Sequence, residues 1–258
     1  MAVSFESPPN TMRKIGWIIL SFLLFNQAVA NPLERNRWHD FEGMIGKQLA
    51  HFSIYVEDEG KLTGTMCYAG NQSSYLLRGT MIDNRLKFTI SRQKKMIAQV
   101  SGLLTSKDAD KIEGDWKDIS TGAKQKIKIT YIASCGGDLT HRYTAIDFPD
   151  SVAEKFMQTA VTKILAKDKQ WVSENIFYPL NTTYLGKQGV TIRDAAELLA
   201  NYDQIFYPAY LSSFTSLCYC GLFHNYRGLM LGRGELWIGQ VPSAPGKKPR
   251  LVINAVNN

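Results

Sequence analysis

The feature that most constrains this chain is a change of period. Between residues 47 and 133 apolar side chains recur at every second position, and from residue 151 onward they recur at helical spacing. Phe52, Ile54 and Val56 share one phase, as do Leu86, Phe88 and Ile90, and Ile127, Ile129 and Tyr131, the last set with lysines in between. Strict alternation places each apolar set on one face, so these runs read as strands with one covered side. Turn chemistry separates them at Glu57-Asp58-Glu59-Gly60, Gly70-Asn71-Gln72, Asp83-Asn84, Ser106-Lys107-Asp108 and Ser120-Thr121-Gly122. About seven strands at this spacing predict an antiparallel meander that curls into a small barrel or sandwich. Gly64, Gly79, Gly102 and Gly114 fall inside the runs, where glycine marks a bend or bulge that lets a sheet curve.

Cys135-Gly136-Gly137-Asp138 ends the alternating half, and residues 136–150 read as a linker closing on Phe148-Pro149-Asp150. Ser151-x-x-Glu154 has the form of a capping box, with Val152, Phe156, Ala160 and Ile164 following at helical spacing. Trp171, Val172 and Ile176 suit a second, short helix before Tyr178-Pro179-Leu180. Thr191-x-x-Asp194 is the expected cap of a third, with Leu198, Leu199, Tyr202 and Ile205-Phe206 as its apolar face and Tyr207-Pro208 as its stop. Beyond Leu217 the period returns to two, with strand candidates at Leu222-Phe223, Leu229–Leu231 and Leu236–Ile238. The expected fold class is α+β: an N-terminal antiparallel β-barrel or meander over 31–135, the linker, an α+β cone domain over 151–240, and a tail over 241–258.

Two resemblances accompany this reading. The steps Gly64-Thr65-Met66-Cys67-Tyr68 and Gly114-Asp115-Trp116 resemble the glycine-aromatic steps of β-meanders in small bacterial envelope proteins, which implies architecture and no chemistry. The second half resembles the nuclear transport factor two-like, or cystatin-related cone, superfamily through Tyr178-Pro179-Leu180, Tyr202-Asp203-Gln204-Ile205-Phe206 and the run Gly228 to Ile238. That superfamily holds enzymes, small-ligand binders and protein-binding modules, so the resemblance implies a fold and leaves the function open.

Residues 1–30 carry a different message. Met12-Arg13-Lys14, the apolar run Ile15 to Phe25 and the ending Ala28-Val29-Ala30 are the three parts of a secretory signal peptide. The apolar run would make a helix of roughly 16 Å, about half a hydrocarbon core, so it does not read as a membrane span. Cleavage is expected between Ala30 and Asn31, with periplasmic localisation, and Met12 competes with Met1 as the start. The whole chain carries a formal net charge of +7. Removing Arg13, Lys14 and Glu6 leaves about +6, divided evenly between the two halves, with no basic block of the kind nucleic-acid binders concentrate.

Four cysteines remain after cleavage, Cys67, Cys135, Cys218 and Cys220, and in an exported chain they read as disulfide candidates. Neighbours two apart on one strand do not bridge easily, so Cys218 or Cys220 is expected to pair with Cys67 or Cys135, the connectivity remaining open. Cys218, Cys220 and His224 offer only three local zinc ligands, and no metal site is expected from them. Among the histidines, His39 and His141 fall in segments without a rigid shell, His51 in the outward phase of a strand, and His224 near a turn. Asp203 invites comparison with the carboxylate base of cone-fold isomerases, yet its place late on a helix suits a surface role. Gly228-x-x-x-Gly232-x-Gly234 lacks the Gly-Lys-Ser/Thr of a phosphate loop and runs into a strand.

No catalytic residue, metal or cofactor is assigned on this basis. The expectation is an exported, non-enzymatic binding protein, and within that class a periplasmic immunity or inhibitor protein. It would occlude an envelope-targeting, peptidoglycan-cleaving toxin, such as one delivered by type VI secretion. Arg227, Arg233 and Trp237 are the candidate partner-binding residues, with a protein partner, no nucleic acid and no stable membrane insertion after cleavage. The alternative is a small-molecule binder or enzyme using the cone cavity.

Overall fold

The computed structural model describes residues 33–258 except 72, 106–109, 185–186 and 243–248. The expected signal peptide and its Ala30–Asn31 cleavage point lie outside the described residues.

The alternating half forms eight strands: β1 (Trp38–Ile45), β2 (Gln48–Val56), β3 (Lys61–Tyr68), β4 (Tyr75–Ile82), β5 (Arg85–Arg92), β6 (Lys95–Leu104), β7 (Lys111–Asp118) and β8 (Lys124–Cys135). Each pairs antiparallel with the next, and β1 pairs with β8 from Trp38↔Cys135 to Ile45↔Ile127, closing a barrel. Closure removes both sheet edges, which an open meander would leave unpaired. The inward phase is packed with its own side chains: Phe41, Phe52, Ile54, Leu62, Met66, Leu77 and Ile90 are fully buried. Phe52 and Phe88 meet edge to face with centroids 6.2 Å apart. An interior filled in this way is a core and not a ligand chamber. The strand glycines mark close backbone approaches, since a Cβ at Gly79 would lie 2.5 Å from Phe88 Cα, and one at Gly114 2.6 Å from Gly102 Cα.

The second half contains α1 (Asp150–Leu165), α2 (Lys169–Glu174), α3 (Ala195–Ile205) and α4 (Pro208–Ser213), with strands β9 (Leu180–Tyr184), β10 (Lys187–Ile192), β11 (Phe223–Asn225), β12 (Gly228–Leu231), β13 (Leu236–Val241) and β14 (Arg250–Val256). The sheet order is β10-β9-β14-β13-β12-β11, antiparallel except where β14 meets β9 in parallel. Leu229, Leu231, Leu236, Ile238 and Ile253 pack with Met157, Ala160, Ile164, Leu198, Tyr202 and Phe206 in one buried core. Together the barrel, the second sheet and the helices make a mixed α+β protein. Among the described residues no helix is long and apolar enough to cross a membrane.

Four local expectations are corrected. The expected tail over 241–258 is overturned at Arg250–Val256, where β14 pairs with β13 along its length and sits inside the sheet. Ser151 does not cap α1, which starts at Asp150 with Pro149 in the N-cap position, and Glu154 turns inward to accept hydrogen bonds from Tyr143 and Gly221. The cap of α3 is Asp194 itself, accepting from Glu197 N at 2.9 Å, while Glu197 accepts in return from Arg193 N; Thr191 belongs to β10. The two halves also do not hang on a loose linker. Arg142, Tyr143 and Ile146 in that segment are buried, and the described residues of both halves belong to one compact unit.

Candidate functional site: the seam between barrel and second sheet

The strongest polar construction in the molecule lies where the two halves meet. Arg142 is 3% exposed and donates through Nη2 to both carboxylate oxygens of Asp40, at 3.0 and 2.8 Å. It donates also to the carbonyls of Gly221 and Leu222 at 3.2 and 3.1 Å, and through Nη1 to Ser53 Oγ. Ser53 Oγ in turn donates to Asp40 Oδ1 at 2.6 Å, and the guanidinium lies 4.9 Å from the centre of the Trp38 ring. A buried charge is tolerable only when paired and hydrogen-bonded in full, and Arg142 meets both conditions. Burial opposes its charge, but Asp40, with Tyr143 and Cys135, holds its pKa above the ordinary value.

A second tier beside it anchors the same segment to the connecting loop and to α1. Tyr143 donates its hydroxyl to Glu154 at 2.6 Å and accepts from Leu222 N at 3.0 Å, and Gly221 N donates to Glu154 at 3.1 Å. Burial pushes the Glu154 carboxyl up and the Tyr143 phenol well above its usual range. A disulfide between Cys67 on β3 and Cys220 adds a covalent tie, with Cα atoms 6.2 Å apart, inside the ordinary span. Gly221 is required where it is. Its φ of +60° suits glycine, and a Cβ there would lie 2.6 Å from Ser53 Cβ. The barrel is therefore held to the second half by an ion pair and a covalent bond, and the Tyr143–Glu154 tier fixes the same residues 220–222 from the side of the second half.

Beside this join runs a groove of about 810 Å³ between the outer faces of β1, β2 and β8 and the 213–235 segment. Its apolar lining includes Leu49, Ile132, Leu217, Phe223 and Met230, and its charged lining Glu42, His51, Arg233 and Glu235. Ile132 reaches the groove because the β1–β8 register shifts there: Asp40 pairs with Ala133 and Phe41 with Tyr131, leaving Ile132 as the extra residue of a bulge. On the second sheet, Met230 is the cross-strand partner of both Phe223 and Trp237, so these three share a face. Of the candidate partner-binding residues, Arg233 lines the groove and Trp237 lies half-buried next to Met230. Arg227 does not join them; it sits in the β11–β12 turn and donates to Tyr226 Oη at 3.2 Å.

The histidines are placed otherwise than the strand phase suggested. His51 does point out of the barrel, but the 217–222 segment covers it, leaving it 8% exposed. Its Nε2 is 3.8 Å from Asp40 Oδ1 and has no hydrogen-bond partner among the described residues, and burial lowers its pKa. His39 and His224 are buried as well, bonded to the carbonyls of Glu34 (2.8 Å) and Gly136 (3.2 Å). His141 is partly exposed, 3.5 Å from Asp150. Asp203 is exposed and bridges Lys169 at 2.7 Å and Lys167 at 3.8 Å; the Lys169 bond draws its pKa down.

Cys135 and Cys218 are the free cysteines. Cys218, His51 and Asp40 all line the groove and are the residue types of a nucleophile, a base and its orienting carboxylate. The geometry does not activate them. Burial pushes the Cys218 thiol up to about 12, its Sγ donates to the Cys67 carbonyl at 3.5 Å, and Asp40 is committed to Arg142. A reactive cysteine needs the opposite environment, one that lowers its pKa. With Cys220 in the disulfide, the Cys218–Cys220–His224 zinc set is broken, and no cluster of three metal-ligating side chains occurs among the described residues. What the groove can do is bind: it offers an apolar strip with charges along its rim. No family model, curated protein or solved structure matches the chain.

Proposed function

We propose that this is an exported binding protein whose partner docks in the seam groove. The observation that carries the reading is the doubly tied join. Arg142–Asp40 and Cys67–Cys220 hold the two walls of the groove in fixed register, and a preformed site avoids the ordering cost that a hinged one would meet on binding. Phe223, Met230 and Ile132 supply an apolar centre, with Arg233, Glu235 and Glu42 at the rim, which is the anatomy of a protein or peptide contact. Within this reading the second module is a cone-type fold acting through its outer sheet face. Tyr202, Phe206 and Phe214 occupy the space between its helices and sheet, which disfavours a ligand held inside the cone. Export is supported by the leader-like residues 12–30 and by a disulfide that suits an oxidising compartment. The inhibitor of a peptidoglycan-cleaving toxin is the sub-class to test first.

The test is affinity capture from the periplasmic fraction with the wild-type chain and a Met230→Glu variant of equal thermal stability. A protein retained by the first and lost by the second supports the reading. A partner retained equally by both places the contact elsewhere.

A further inference from the structure

A second surface, on the barrel wall, has a different chemistry and goes beyond the seam groove. The barrel register aligns Arg78, Thr89, Gln99, Lys117 and Lys124 as one cross-strand row over β4 to β8. The next row is Thr80, Lys87, Ser101, Asp115 and Lys126. Both rows lie in the outward phase, opposite to buried Leu77, Phe88, Val100 and Trp116. Between the long cationic side chains the central strands carry only Thr89, Gln99 and Ser101. The wall is accordingly hollowed into a depression of about 550 Å³. Four interstrand steps make the row roughly 19 Å long.

The charges in this hollow do not cancel. Asp115 is taken up by Lys126 at 2.7 Å, and Glu113 in the neighbouring row by Lys128 at 2.9 Å. Arg78, Lys87, Lys117 and Lys124 form no ion pair among the described residues. Two flank one side of the hollow and two the other. Like charges at this spacing repel, and a multivalent anion lying across them removes that repulsion and releases its own counterions.

We propose that this barrel face binds a linear, base-free polymer of phosphate groups, lying across the strands between Arg78 and Lys87 on one side and Lys117 and Lys124 on the other. Each phosphate presents several acceptor oxygens, so it can take an ammonium from the rim and a hydroxyl or amide donor from Ser101 or Gln99 together. A nucleic acid is disfavoured because its bases need aromatic stacking platforms, and this lining holds no exposed aromatic ring. A protein partner is disfavoured for a related reason, since no apolar anchor is offered here.

The experiment is a titration of the full chain with inorganic polyphosphate of about 20 units, the length chosen to exceed the row, repeated over a range of salt. Wild-type protein is expected to bind with a steep loss of affinity as salt rises. Lys117→Ala/Lys124→Ala and Arg78→Ala/Lys87→Ala should each bind about tenfold more weakly or worse and show a flatter salt slope. Lys155→Ala, on the exposed side of α1, should bind as wild type, and thermal midpoints of all variants should agree. Absence of wild-type binding, binding of either double variant as tight as wild type, or tighter binding of polyglutamate or single-stranded DNA of matched charge would each overturn the proposal. Because Met230→Glu does not touch this face, it should leave polyphosphate binding unchanged, which separates this site from the seam groove.

Discussion

Arg142 Nη2 lies 2.8 Å from Asp40 Oδ2, across 102 residues of sequence and with both side chains buried. This contact joins the barrel to the loop leading into the second module, and Arg142 also holds the carbonyls of Gly221 and Leu222. Removing either partner leaves a charge uncompensated in the interior. Asp40→Ala and Arg142→Ala should each cost about 3–5 kcal/mol of unfolding free energy. The double variant should cost clearly less than the sum, because neither charge is then left alone. Urea unfolding of the three variants measures this, and strict additivity would mean that the pair does not act as a unit.

The cysteines make a separate test. Without reductant the native protein should react slowly with a maleimide at pH 8, since burial pushes Cys135 to about 11 and Cys218 to about 12. Denatured without reductant it should show two reactive thiols, Cys135 and Cys218, and after reduction four. Cys67→Ser should lower stability by about 2–5 kcal/mol, as expected for a bridge closing a long loop. Four thiols before reduction would remove the covalent tie from the account.

Acid and base act on opposite groups in the seam. Burial lowers the pKa of His39, His51 and His224, so the unfolded chain takes up their protons first as pH falls. Their contribution is intact above about pH 6.5 and is lost as pH drops below it. Glu154 runs the other way: burial raises its pKa, the folded state holds its proton longer, and stability declines as pH rises through the carboxylate range toward that raised value. His51→Gln should reduce the acid-side loss, and Glu154→Gln should flatten the decline that begins near pH 4.5. Unfolding free energies across pH 4–8 measure both slopes.

Strands β2 to β8 are legible in the sequence because alternation is a local signal, and a small barrel or sandwich follows from their number; β1 lies ahead of the alternating run, and the pairing that makes the closure a barrel is not local. The β1–β8 pairing brings Trp38 to Cys135, and no local pattern encodes that distance. β14 was hidden by its approach: Pro242 and the Pro, Gly and Lys residues up to Arg250 read as a tail, although Leu251, Val252 and Ile253 carry a strand's apolar content. The seam failed for a related reason. Arg142 stands between Gly136-Gly137 and Pro149, which suits a linker, and its burial depends on a carboxylate far away in the chain. The outward phase of His51 is right, but a phase says which way a side chain points and not what covers it, and His51 is buried. The cationic row on the barrel escaped for the same cause: five strands contribute its members, so charge that looks evenly spread along the chain is gathered by register. Of the candidates, Arg233 lies in the β12–β13 turn beside the groove and Trp237 on β13 next to Met230, whereas Arg227 lies in the β11–β12 turn at the other end of β12.

The most direct test of the central claim is site-specific photo-crosslinking in the compartment where the protein works. A photoreactive residue at Met230 or Ile132, both lining the seam groove, is compared with one at Leu165 at the exposed end of α1. The account predicts a discrete adduct from positions 230 and 132, with the same partner in both, and none from position 165. An adduct from 165 alone, or no adduct from either groove position in folded protein, would contradict it.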